Sequence, residues 1–216
     1  LRVRSAEYSA LTVDELDIFE AALQMRQRYG HEALRHFRNV EGLPVPPHAL
    51  AAAYSLAGDD ASATPLLLIL DGVEDPRNLG AILRTAEGAG IDGVIIPERR
   101  AVGLNDTVAK SSAGAIEYVK VAKAGNLNRL IEDLKARDIW VVGTSMDATM
   151  SYDEWDWSRP SALVLGGEGS GLHRLVAENC DVLVKIPMYG RIDSLNVSVA
   201  AGVILFEARR QRSKDE

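Results

Sequence analysis

One cysteine in 216 residues, Cys180, leaves no partner for an intrachain disulfide and too few thiols for a Cys-rich zinc site. No apolar run approaches the roughly 20 residues that cross a bilayer. The first residues, Leu1-Arg2-Val3-Arg4-Ser5, lack the apolar core of a secretion signal, so cytoplasm is the expected compartment. His31, His36 and His48 have no metal-ligand spacing with acidic partners, and no metal is expected. Positive charge is not in excess either. The net charge of −7 argues against nonspecific coating of nucleic acid. Local basic patches remain at Arg99-Arg100, Lys110, Lys120 with Lys123, and Arg209-Arg210 with Arg212 and Lys214. What is present is ordinary for a globular protein: 47% hydrophobic and 25% charged residues, enough chain for one well-packed domain and a small extension.

The pattern changes near Ala61–Pro65. Residues 1–62 read as a helical N-terminal extension. Thr12-Val13-Asp14-Glu15 is a capping box, Leu16, Phe19 and Leu23 recur at helical spacing, and Leu43-Pro44-Val45-Pro46-Pro47 is a stiff connector. Residues 63–216 read as an α/β domain. Continuous apolar runs at Leu66–Leu70, Gly93–Ile96, Tyr118–Val121, Ile139–Val142, Ala162–Leu165 and Val182–Ile186 suit strands buried on both faces. Helical stripes lie between them: Leu79, Ile82, Leu83 and Ala86; Leu127, Leu130, Ile131 and Leu134; Val197, Ala200, Ala201 and Ile204. Such alternation predicts a mainly parallel sheet with helices on both faces.

Three loop regions carry the candidate chemistry. Ile186 to Ala200 begins as a strand, breaks at Pro187 and Gly190, and restarts as a helix, with Ser194 at its expected start and Asn196 in its first turn. Ser194 is a natural cap there, and free N–H groups at that end could also meet a ligand. Leu165-Gly166-Gly167-Glu168-Gly169-Ser170-Gly171 is glycine-rich, but no frame supplies G-x-G-x-x-G and there is no Gly-Lys-Ser/Thr. The acidic Glu168 would repel a phosphate, so either the loop meets a neutral or cationic ligand or Glu168 serves structurally. In the loop from Asp71 to Arg84, Asn78 and Arg84 lie six residues apart, about 1.7 helical turns, and cannot share a helix face. Taken singly, Asn78 reads as a helix cap and Arg84 as a surface ion-pair partner.

Together the three segments resemble the motifs of the SpoU, or TrmH-type, RNA ribose methyltransferases. Asp75-Pro76-Arg77-Asn78-Leu79-Gly80-Ala81-Ile82-Leu83-Arg84-Thr85-Ala86 is similar to the first motif, Leu163 to Leu172 to the second, and Ile186 to Ala200 to the third, in the family's order. Asp71-Gly72-Val73, Leu104-Asn105, Ser112-Ala113-Gly114-Ala115 and Ile139 to Thr144 narrow the likeness to the bacterial enzymes that methylate a guanosine ribose in 23S rRNA. The resemblance implies a SPOUT fold with a C-terminal trefoil knot, a homodimer with the site near the subunit interface, structured RNA as partner (rRNA before tRNA), and S-adenosylmethionine as cofactor. It places Arg84, Asn196, Glu168 and Asn78 at the transfer site and Thr144, Gly166, Ile186, Met188, Ser194 and Leu195 around the cofactor. It implies that Arg84, always protonated, steadies developing negative charge, while Asn196 and Asn78 orient the ribose or hold Arg84. The family's N-terminal RNA-binding module is not matched by the helical pattern of residues 1–62.

Overall fold

Six consecutive buried residues, Leu66–Asp71, form β1, an interior strand of a sheet whose pairings are all parallel. The computed structural model describes residues 64–99 and 101–213. The expected helical extension over residues 1–62, and its boundary, lie outside the described residues.

After β1 come helix α1 (Pro76–Gly88), β2 (Gly93–Pro97), a short α2 (Asp106–Ser111), a 3₁₀ turn (Ala115–Glu117) and β3 (Val121–Ala124). Then follow α3 (Leu127–Lys135), β4 (Trp140–Thr144), β5 (Met150–Ser151), β6 (Ser161–Gly166), α4 (Arg174–Asn179), β7 (Val182–Lys185) and α5 (Val197–Arg212). The seven strands lie in the order β3-β2-β1-β6-β4-β7-β5. Both β6 and β7 are inserted between strands that precede them in the chain.

Strand residues alternate between faces. Leu66, Leu68, Leu70, Val94, Ile96, Leu163 and Leu165 share one cluster with Leu79, Ile82 and Leu83 of α1 and Val197, Ala201, Ile204 and Leu205 of α5. The alternate residues Leu67, Ile69, Val141, Ala162 and Val164 are equally buried and face α3 and α4, whose Leu130, Ile131, Leu134 and Val176 are covered. Helices therefore cover both faces, as the alternation predicts. All four residues of the α1 stripe and of the α3 stripe are buried; in α5, Ala200 is only partly covered.

Some boundaries move. Tyr118 does not begin a strand: it closes the 3₁₀ turn, 70% exposed, and β3 starts at Val121. As the sheet edge, β3 needs no continuous apolar run. The helix expected at Ser194 begins at Val197, with Asn196 as its cap. Asp75, not Asn78, caps α1, accepting the Arg77 N–H at 2.7 Å, and Pro76 opens the helix where its missing N–H costs nothing.

The C-terminal helix is fastened at its far end. The Arg212 guanidinium donates to the carbonyls of Trp157, Pro65 and Arg159 at 2.8, 3.1 and 3.0 Å, and to that of Thr64. This ties the C-terminal end of α5 to the starts of β1 and β6, while its N-terminal end meets residues that follow the carboxyl ends of the same two strands.

Candidate active site

The chain leaves β1 toward α1 on one face and leaves β6 toward α4 on the other. Adjacent strands whose continuations part in this way leave a crevice at their carboxyl ends, the usual ligand position in open α/β sheets. A cleft of about 380 Å³ lies there, lined by Gly72, Val73, Glu74, Asp75 and Asn78 from the first connection, Glu168, Ser170 and His173 from the second, and Val197 of α5.

Asn196 joins the three segments. Its Oδ1 accepts the Ser198 N–H at 2.9 Å and the Ser198 hydroxyl at 2.5 Å, capping α5. Its Nδ2 donates to Asn78 Oδ1 at 3.1 Å and to Glu168 Oε1 at 2.6 Å. An amide has two N–H donors, and both are used. Asn78 is 8% exposed, so Asn196 also satisfies an oxygen that would otherwise be buried alone. The network spans 118 residues of sequence between Asn78 and Asn196. It explains why Asn78 is not a cap: its side chain turns inward from the first turn of α1.

The glycines of the second loop are set by close approach. A Cβ on Gly166 would stand 2.1 Å from the main-chain carbon of Gly171, and one on Gly167 would stand 2.3 Å from the Gly72 carbonyl. The loop folds back on itself through a bridge between Gly167 and Gly171, and Gly167 N–H bonds to Asp71 O at 2.8 Å. This main-chain packing delivers Glu168 to Asn196.

Thr144, Gly166 and Ile186 lie at the carboxyl ends of the neighbouring strands β4, β6 and β7. The Thr144 hydroxyl donates to Val164 O at 3.3 Å. Met188, Ser194 and Leu195 are exposed on the segment linking β7 to α5. Between Pro187 and Leu195 no main-chain group pairs with another main-chain group among the described residues. Free N–H and C=O groups therefore stand beside the apolar side chains of Ile186, Met188 and Leu195. That combination suits a flat heteroaromatic ring, whose faces want apolar contact and whose edge wants hydrogen bonds.

Arg84 stands apart from the cluster. It projects from the exposed side of α1, opposite the buried Asn78, as their spacing requires. It does not line the cleft, and it has no hydrogen-bond or ion-pair partner among the described residues.

Sequence reasoning missed a second pair at the cleft. Asp71, 4% exposed, accepts the main-chain N–H of His173 at 2.7 Å and meets His173 Nδ1 at 2.8 Å. A signal existed: an acid ends an otherwise apolar strand, and a buried carboxylate needs a partner.

Cys180 plays no part in the cleft. Burial, and secondarily the nearby Asp181, push its thiol up to about 12. Among the described residues no cluster of His, Cys, Asp or Glu could hold a metal ion, and no helix is long and apolar enough to cross a membrane.

Comparison with known proteins matches this arrangement to one family. The SpoU rRNA Methylase family model covers residues 65–206. The chain belongs to the SpoU rRNA methylase family. It is 50% identical over 175 residues to a 23S rRNA (guanosine-2′-O-)-methyltransferase of Ralstonia nicotianae, covering 80% of this chain and 70% of that one. It is 52% identical over 157 residues to a TrmH family tRNA/rRNA methyltransferase of Bacillus subtilis, covering 73% of this chain but only 63% of the relative. Among solved structures, the SpoU methyltransferase AviRb from Streptomyces viridochromogenes, in complex with the cofactor AdoMet, superposes with a TM-score of 0.67 at 29% identity, over 72% of this chain and 63% of that one.

Proposed function

We propose that this SpoU-family chain transfers a methyl group from S-adenosylmethionine to a ribose 2′-oxygen in structured RNA, with a guanosine of 23S rRNA as the expected target. The observation that carries the reading is the Asn196 amide, bonded at once to Asn78 and Glu168 at the carboxyl ends of β1 and β6. The Ralstonia relative's name supports the guanosine and rRNA assignment.

The cofactor's expected surroundings are Thr144, Gly166, Ile186, Met188, Ser194 and Leu195. They fit its chemistry: unpaired main-chain groups for the adenine edge, apolar side chains for its face, and the carboxylate of Glu168 nearby, which tolerates a sulfonium. Bound there, S-adenosylmethionine supplies an electrophilic methyl carbon on a good leaving group. The remaining task is positioning, which in well-oriented systems can account for about 7–11 kcal/mol of a barrier. Asn196 holds Asn78 in place, Asn78 orients the ribose through its own amide N–H groups, Glu168 fixes the Asn196 amide, and Arg84 steadies charge developing on the ribose oxygen or an adjoining phosphate.

Arg84 reaches that charge in a homodimer. Met188, Tyr189, Ile192 and Leu195 before α5, and Val199 and Phe206 on it, are 37–96% exposed. An apolar surface of this extent is typical of an interface. The insertion of β6 and β7 between earlier strands supports the trefoil knot.

The test is transfer of labelled methyl from S-adenosylmethionine to unmodified 23S rRNA and to unmodified tRNA. Label in a ribose of 23S rRNA supports the proposal. Label in tRNA alone reassigns the substrate. A folded dimer that neither binds the cofactor in calorimetry nor labels RNA supports a non-catalytic RNA-binding role.

A further inference from the structure

The reaction proposed above needs somewhere for the proton of the ribose hydroxyl to go. Arg84 is an unsuitable acceptor because guanidinium stays protonated. The titratable side chains lining the cleft are Glu74, Asp75, Glu168 and His173. Asp75 is committed to the cap of α1 and Glu168 to Asn196.

His173 is held differently. Asp71 grips it twice, by main-chain N–H to Oδ2 at 2.7 Å and by Nδ1 to Oδ1 at 2.8 Å. A carboxylate only accepts hydrogen bonds, so the proton of the Asp71 contact sits on Nδ1, and in that tautomer the lone pair of the ring is at Nε2. The main-chain bond would suffice to anchor the start of α4, and the ring makes no cap there. The ring contact is additional. Its carboxylate is 5% exposed while the imidazole is 55% exposed, so a buried group orients an open one. Gly72, with φ +81°, lies beside the ring: a Cβ there would stand 3.3 Å from His173 Cε1, a tight contact.

The charged groups around the imidazole are Asp71, Glu74 and Asp75 from the first connection, Glu168 from the second, and Arg174 on its own helix, which pairs with Glu178 at 2.8 Å. Four carboxylates repel a phosphate. The group that suits this cleft is a hydrogen-bond donor, such as a ribose hydroxyl.

We propose that His173 Nε2 accepts the proton of the ribose 2′-hydroxyl, with Asp71 as its positioning residue. The O–H bond breaks, the proton moves to Nε2, and the oxygen's electron pair forms the bond to the methyl carbon as the carbon–sulfur pair leaves on sulfur. Solvent then takes the proton from the imidazole. General-base catalysis of this kind typically contributes about 10²–10⁴-fold.

The inference rests on the methyltransferase reading, and its test separates the two. In single-turnover methylation with saturating RNA and cofactor, His173→Gln should lose at least roughly tenfold in rate. Its pH profile should also differ from that of the unaltered chain, while S-adenosylmethionine binding by calorimetry stays within about twofold. Asp71→Asn should alter the pH profile as well. A second readout needs no turnover: in ¹⁵N NMR of the labelled chain, guanosine should shift the His173 Nε2 resonance and 2′-deoxyguanosine should not. An active chain whose His173→Gln variant matches it in rate and pH profile, or equal shifts from both nucleosides, overturns the inference and leaves the proposed function standing. A chain that methylates no RNA removes the proposed function and this inference together.

Discussion

Replacing Asn196 with alanine removes a helix cap and a three-way junction together, and a second variant separates them. Loss of the cap on α5 costs about 1 kcal/mol. Loss of the Nδ2 bond to Asn78, a residue 8% exposed, leaves its amide oxygen without that donor, roughly another 1–2 kcal/mol. The bond to Glu168 adds a few tenths only, about what an exposed charged partner contributes in water. The sum is about 2–3 kcal/mol, or a fall in Tm on the order of 5–10 °C for a chain of this size. Asn196→Ser keeps a capping oxygen but is too short to bridge to Asn78 and Glu168, so it should recover about 1 kcal/mol. Urea unfolding followed by circular dichroism measures both variants. Neither should restore methyl transfer, because serine supplies no amide to join the first and second motifs. An alanine variant within about 0.5 kcal/mol of the unaltered chain, or a serine variant with full activity, would refute the reasoning.

Other perturbations probe separate parts of the account. Arg84→Ala should abolish methyl transfer while leaving S-adenosylmethionine binding by calorimetry and the unfolding midpoint nearly unchanged, since Arg84 is exposed and makes no bond among the described residues. Gly166→Ala places a Cβ 2.1 Å from main-chain atoms that cannot rotate away, so cofactor affinity should fall at least about tenfold even where circular dichroism reports a folded protein. The Cys180 thiol is raised from 9.0 to about 12 in the fold, so the folded chain keeps a proton that the unfolded chain releases. Its contribution is therefore intact below about pH 9 and is lost progressively as pH rises toward 12. Urea midpoints compared with Cys180→Val should diverge over that window, and parallel curves would contradict the assignment.

The buried architecture was legible because burial on both faces leaves a simple trace. The runs at Leu66–Leu70 and Ala162–Leu165 fall inside strands, and the stripes Leu79-Ile82-Leu83-Ala86 and Leu127-Leu130-Ile131-Leu134 mark the covered faces of α1 and α3. Edges were harder. Strand β3 is only half-covered and β5 is two residues long, so neither writes a continuous apolar run. The residues that meet at the cleft were legible as types but not as contacts. Ser194 and Asn196 are both competent caps by type, and only the path of the chain makes Asn196 the one that bonds Ser198. Asn78 reads as a cap by type too, yet Asp75 occupies that position and frees Asn78 to meet Asn196. The Asp71–His173 pair joins residues 102 apart, and no periodicity or local spacing encodes such a meeting.

The central claim is ribose methylation of RNA by the site that Asn196 assembles. Its most direct test maps 2′-O-methylation across the RNA of cells that carry the chain, cells that lack it, and cells that carry Asn196→Ser. The account predicts one ribose in 23S rRNA that is methylated only with the unaltered chain. Identical methylation maps in all three would contradict it.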